Sequence, residues 1–292
     1  MRFLIYNPKT HLFDFFINAL SYELTQQNIE VSNYIPNYKY NFDKDIVLII
    51  INPHFIFDYE DIKNEIKNIS ILFKLKIFYI TEPINFLVEK KVYIDLIKLI
   101  KPYRLWTYTS ENFNKLNTYV SMHKVFPKYN ETYNFVDIYS KKLDTSSIVF
   151  FGNITQNRID ICNQFNYLIN KTESWSKEDW TEILSKHLFY LNIHRRVNCK
   201  SFEAFRIIPI LANGGVIFSE RCNDVEEQEY KDYNIIFVER KDLYNTFKKY
   251  KENADLVLID VPCSGLGVLR RNPAAKWHMN PSYIEELIRF KK

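Results

Sequence analysis

Short apolar runs alternate with amphipathic stretches along the first 250 residues, and this rhythm constrains the fold more than any other feature. The longest run, Ile46 to Ile51, has the length of a buried strand and is far short of the ~18 residues a membrane helix requires. Strands bounded by amphipathic segments predict an α/β fold with parallel sheets. Strands are expected at 2–7, 31–35, 45–52, 76–83 and 104–109, with helices at 12–27, 86–100 and 112–119. Residues 127–147 are polar and without periodicity. The pattern then restarts, with strands at 148–152, 188–194, 216–220 and 235–239 and helices at 158–169, 202–213 and 241–249. The expectation is two successive open, Rossmann-like α/β units, 1–127 and 128–253, followed by a short strand–loop–helix piece at 254–292.

Composition enters as an exclusion. With 47% hydrophobic residues, a net charge of +4 and only five glycines in 292 residues, the chain is neither disordered nor collagen-like. The opening MRFLIYNPKT reaches polar Asn7 too early for a signal peptide. Cys162, Cys199, Cys222 and Cys263 are widely spaced with no CxxC pair, so neither zinc nor a disulfide framework is indicated. A reduced, cytoplasmic protein is expected. The body to residue 253 has 33 basic against 31 acidic residues, too even a balance for a general nucleic-acid binder. Residues 254–292 differ in kind, holding two of the five glycines and three of the ten prolines.

In open parallel sheets, ligands sit beyond the carboxyl ends of the strands. In the second unit this singles out Asn153, His194 to Arg196, and Ser219–Glu220. The segment 202–213 is apolar nearly all round except for Glu203, Arg206 and Asn213, which share a narrow arc at helical spacing. One explanation is an i,i+3 Glu203–Arg206 ion pair. The other is a ligand-facing pair in an interdomain cleft. Gly214–Gly215 follows a helix and so reads as a C-cap turn rather than a phosphate loop.

The stretch LNIHRRVNCKSFEAFRIIPILANGGVIFSE resembles the donor-binding region of GT-B glycosyltransferases, especially the CgeB-like and family-one-like branch, and FFGNITQNRIDIC resembles that fold's second-domain start. The resemblance implies a nucleotide-sugar donor held by the second unit and an acceptor on the first. Glu203 would then hold donor hydroxyls, Arg206 or Arg196 would face the diphosphate, Ser219 and Glu220 would line the cleft, and His194 would sit at a strand tip. Pro209 stands where many relatives have a second glutamate, and there is no DxD motif to imply a metal.

The tail, ADLVLIDVPCSGLGVLRRNPAAKWHMNP, resembles the D-x-P-C-S-G-x-G-x-x-R-R-x-P-x-x-K-W segment of RsmB/NOP-type RNA cytosine-5 methyltransferases. That resemblance implies S-adenosylmethionine as cofactor and RNA as partner. Asp260 would contact methyl donor or target base, Pro262 and Cys263 would border the flipped cytosine, and Arg270, Arg271 and Lys276 would suit an RNA backbone. No counterpart of the family's D-x-C-A-A-P-G-G-K loop precedes it, since the only earlier glycines are Gly152, Gly214 and Gly215. The tail is therefore expected to be a methyltransferase fragment joined to an unrelated body, without methylating activity of its own. A natural fusion, a frameshift or an assembly artefact would each produce that join.

Overall fold

The structure, a computed structural model, describes residues 2–9, 13–40, 46–59, 61–84, 89–133, 136, 143–172 and 177–252. The chain forms two compact units, Met1–Leu243 and Tyr244–Lys292. Of the second, the described residues are 244–252, which belong to the helix Leu243–Glu252. No helix among the described residues is long and apolar enough to cross a membrane.

The first unit is α/β and contains two wholly parallel sheets. The first has six strands: β1 (Arg2–Tyr6), β2 (Glu30–Asn33), β3 (Ile46–Ile51), β4 (Leu75–Ile80), β5 (Arg104–Thr107) and β6 (Met122–Lys124), in the order β2-β1-β3-β4-β5-β6. Its helices are α1 (Asp14–Gln26), α2 (Ile62–Leu72), α3 (Lys90–Ile100) and α4 (Ser110–Leu116). The second sheet comprises β7 (Asp144–Phe151), β8 (Ile169–Thr172), β9 (His187–Asn192), β10 (Val216–Glu220) and β11 (Ile235–Val238), in the order β11-β10-β9-β7-β8. With it come α5 (Gln156–Cys162), α6 (Lys177–Leu184), α7 (Ala204–Ala212) and α8 (Asp224–Glu229). Central strands of such sheets are covered on both faces and so read as continuous apolar runs. Accordingly, β3 is buried from Val47 to Ile51 and β10 throughout.

The chain leaves β1 to one side for β2 and returns to the other for β3; likewise it leaves β7 for β8 and returns for β9. Each reversal is a topological switch point, where the loops diverge and leave a crevice beyond the strand ends.

The two sheets correspond to the two expected α/β units, and both lie within the compact unit that ends at Leu243. The Phe205 ring on α7 explains part of this: it meets Phe13, Phe16, Tyr79 and Tyr108 of the first-sheet half edge-on, with centroids 4.7–6.0 Å apart. Tyr230 adds a hydrogen bond to the Pro127 carbonyl at 2.8 Å.

The helix expected at 202–213 begins at Ala204, with Glu203 just before it, and runs through Pro209. The Gly214–Gly215 turn ends it as expected: both amides bond back into its last turn, and Gly214 has a φ of 79°. A Cβ on Gly215 would come within 2.4 Å of Ile210 and 2.8 Å of Tyr190, so only glycine fits. At α4 the capping side chain is Thr109, whose Oγ1 accepts the Asn112 amide.

Candidate functional site

The carboxyl ends of β1 and β3 and those of β7 and β9 open on one cavity of about 760 Å³ within the first unit. Lys9 follows β1, His54 follows β3, Gly152 and Asn153 follow β7, and Arg195 and Arg196 follow β9; all of them line it. Two switch points thus share one space.

Its second-sheet wall is built around Glu203. The carboxylate takes Arg158 from α5 at 2.9 Å and Arg206 from α7 as a second ion pair. Each guanidinium is also pinned by backbone carbonyls: Arg158 donates to Ile193 and Asn153, both at 3.0 Å, and Arg206 to Phe151 at 2.9 Å. Arg206 further donates to Asn192 Oδ1, whose amide nitrogen donates to Ser219 Oγ at 2.9 Å. This close approach depends on Gly152, where φ is 129° and a Cβ would lie 2.6 Å from Arg206 Nη1. Both arginine side chains are nearly buried, at 5% and 6% exposure, while Glu203 keeps 25%. Burial pulls the Arg158 guanidinium down to about 10, so it is still a cation at pH 7; burial and neighbouring Arg158 lower Arg206 also. With Arg195 and Arg196, this wall carries four cations against one carboxylate, an arrangement suited to a multivalent anion.

The opposite wall differs. Lys9 pairs with Asp58 at 3.3 Å, and Asp14 and Glu82 add two carboxyl groups. His54, hydrogen-bonded through Nδ1 to the Tyr93 hydroxyl at 2.7 Å, is pushed down to about 4 by burial and is neutral at pH 7. Phe13, Phe16, Tyr108, Trp180 and Phe205 complete an apolar lining. No group of three or more His, Cys, Asp or Glu among the described residues is arranged to hold a metal ion.

Of the residues expected to bind a donor, Glu203, Arg206 and Arg196 line the cavity. Glu203 and Arg206 form the expected ion pair, and both residues line the cavity. Asn213 parts from them, donating to the Tyr133 and Pro209 carbonyls. His194, Ser219 and Glu220 are held in internal hydrogen bonds outside the lining. Glu220 accepts the His194 amide at 2.6 Å and Arg240 at 2.7 Å, and His194 Nε2 reaches the Arg221 carbonyl at 2.9 Å. Because β9 ends at Asn192, His194 lies beyond the strand, and burial pushes it down to about 4. Arg158, Lys9 and Glu82 are not singled out by the sequence, whereas Arg195 falls within the expected stretch 194–196. Arg158 was present in the FFGNITQNRIDIC stretch, and Lys9 and Glu82 follow strands directly. Asp260, Pro262, Cys263, Arg270, Arg271 and Lys276 lie outside the described residues, as do any side chains there that would hold S-adenosylmethionine.

A family model described as 16S rRNA methyltransferase RsmB/F matches residues 214–292. A protein named as ribosomal RNA small subunit methyltransferase B in Synechocystis sp. is 51% identical over 37 residues, covering 13% of this chain and 8% of that protein. A protein named as a methyltransferase in Mycobacterium tuberculosis is 45% identical over 38 residues, again 13% of this chain and 8% of the relative. The chain thus spans about 8% of the length of these curated relatives. The RsmB/F match bears out the methyltransferase resemblance of the tail and reaches back to the turn before β10. Every cavity-lining residue precedes Gly214, and none of these matches supports the glycosyltransferase resemblance.

Proposed function

We propose that the cavity of the first unit binds a nucleotide-linked sugar and transfers the sugar to an acceptor entering along the first-sheet wall. The observation that carries this reading is the shared cavity at two switch points, with Arg158 and Arg206 clasping Glu203 on one side. A diphosphate would take the place beside the guanidinium groups, where fixed cations stabilise the charge that develops on a leaving phosphate oxygen. Glu203, still partly exposed between them, would accept a sugar or ribose hydroxyl. The test is thermal unfolding of the full chain with uridine, guanosine, adenosine and thymidine diphosphates. Ligand at 100 times its dissociation constant stabilises by about 2.7 kcal/mol, a readily measured rise in Tm. No rise with any of them would sink the reading.

A second reading is favoured by the family match. Residues 214–292 would contribute to an RsmB/F-type, S-adenosylmethionine-dependent RNA methyltransferase, with Asp260, Pro262 and Cys263 at the target cytosine and Arg270, Arg271 and Lys276 on the RNA backbone. Cytosine-5 methylation also requires a methyl-donor pocket and a nucleophilic thiolate. Incubation of the full chain with labelled S-adenosylmethionine and ribosomal RNA tests it: transfer that disappears in Cys263→Ala supports this reading, and absence of transfer counts against it.

A further inference from the structure

The segment after β4 is clamped from both sides by buried asparagines. Asn52, itself at a φ of 43°, accepts the Thr81 amide at 2.7 Å and donates to Thr81 Oγ1 at 2.5 Å. Asn112 donates to the Glu82 carbonyl and accepts the Ile84 amide, both at 2.9 Å. These bonds fix the main chain around Glu82, and Glu82 lines the same cavity as Arg158 and Arg206. The charged and titratable groups that face it are Arg195 beyond β9, Tyr93 on α3 and Tyr108 beyond β5. Neither tyrosine ionises near neutrality, because burial pushes both well up.

We propose that Glu82 is the proton-exchanging residue of this cavity: its carboxyl takes up a proton when a multivalent anion occupies the arginine wall, and so holds the proton that passes to or from the bound substrate. The inference rests on the anion-binding part of the reading above. An ionised Glu82 sharing a low-dielectric space with a diphosphate is a like-charge pair, and such pairs disfavour the ionised form. Burial already pushes Glu82 up to about 7, with Arg195 partly opposing, so the free carboxyl is half ionised at neutral pH and has a proton to gain. His54 is neutral throughout this range. Glu226, also pushed up to about 7 by burial, is not part of the lining; its carboxylate accepts the Phe202 amide at 2.6 Å and the Ser110 amide at 3.1 Å.

The signs follow directly. Below pH 7 the free carboxyl is protonated and anion affinity does not depend on it. Above pH 7 each further unit demands protonation before binding, and affinity falls about tenfold per unit until the carboxyl of the complex ionises in turn. Glutamine mimics the protonated acid, so Glu82→Gln is expected to match the wild type at pH 6 and to bind at least tenfold tighter at pH 8.5. The experiment is calorimetric titration of the full chain with inorganic pyrophosphate and uridine diphosphate, in two buffers of different ionisation heat, from pH 6 to 8.5. Ionisation of the ligand and of Glu226 is common to both proteins and cancels in the comparison. Wild type should take up a fraction of a proton near pH 7.5 that Glu82→Gln does not. Equal proton uptake and parallel pH profiles would overturn the proposal. Absence of binding to wild type by either ligand would overturn the anion-binding reading instead. Should Glu82→Gln fail to fold, Glu82→Asp keeps a titratable group and must displace the pH at which uptake occurs; an unchanged profile rejects the role.

Discussion

Gly152 leaves open the space that the Arg206 guanidinium fills: a Cβ at this position would sit 2.6 Å from Nη1. The arginine lies across the end of β7, bonded to the Phe151 carbonyl, because the next residue has no side chain. A backbone position that demands glycine thereby fixes where one of the cavity's cations, Arg206, stands.

Gly152→Ala should therefore cost on two counts, the φ of 129° and the collision. About 1–3 kcal/mol of stability is expected to be lost, read from urea unfolding, together with any anion binding that uses Arg206. Gly215→Ala is the contrast. Its Cβ would strike Ile210 and Tyr190, away from the cavity, so a similar overpacking loss of about 1–3 kcal/mol should leave anion binding intact. Equal effects of the two on binding would show that Gly152 acts through general stability.

Phe205 places an apolar ring from α7 among four aromatic rings of the first-sheet half. Phe205→Ala should cost about 3–5 kcal/mol, the range for an aromatic truncated in a packed setting. The shared packing predicts that near-ultraviolet dichroism, reporting on aromatic order, and far-ultraviolet dichroism, reporting on the sheets, are lost in one transition in wild type. Two transitions in the variant would show that Phe205 couples the halves; a small loss with unchanged cooperativity would refute this.

Glu203 neutralises two buried guanidinium groups at once, so its removal is a stability experiment before it is a binding one. Glu203→Ala leaves Arg158 and Arg206 side by side without their carboxylate. Breaking a buried pair in this way costs roughly 3 kcal/mol or more. Phosphate should restore more stability to Glu203→Ala than to wild type, since an anion can enter where the carboxylate stood. Equal stabilisation of both proteins, measured by thermal unfolding, would argue against an anion site there.

How much of this was legible in the sequence depends on what each residue answers to. The strand β10 falls on the expected Val216–Glu220, and β3 lies inside the expected 45–52, because a strand covered on both faces is an unbroken apolar run. The expected elements omit the helix α2, although Ile62, Ile66 and Ile69 lie at helical spacing, because the buried Glu65 among them and the flanking lysines and asparagines leave no continuous apolar face. Nor was α8, six residues of which five are polar, though Glu226 within it is fully buried and tied to amides on two sides. Arg158 and Glu203 are 45 positions apart, and periodicity carries no information at that range. The expected strand 76–83 includes Glu82, whereas β4 stops at Ile80.

The last prediction concerns acid. His194 is buried, donates Nε2–H to the Arg221 carbonyl at 2.9 Å, and has no hydrogen-bond partner at Nδ1 among the described residues. Burial first, then the cations Arg206, Arg158 and Lys200, push it down to about 4. An unfolded histidine titrates near 6.5, so between about pH 6.5 and 4 the unfolded chain binds a proton that the folded chain refuses. This contribution to stability is present above pH 6.5 and is lost as pH falls through that window, by up to about 3 kcal/mol. Glu82 and Glu226, both raised to about 7, act in the opposite direction by favouring the folded state as pH falls, which would mask the effect in wild type alone. The difference between wild type and His194→Gln isolates it, since glutamine keeps a donor for the Arg221 carbonyl without titrating. Urea unfolding at pH 7.5 and pH 4.5 should show the variant losing about 2–3 kcal/mol less than wild type over that interval. An identical loss in both proteins would mean that His194 is not the group the fold keeps neutral.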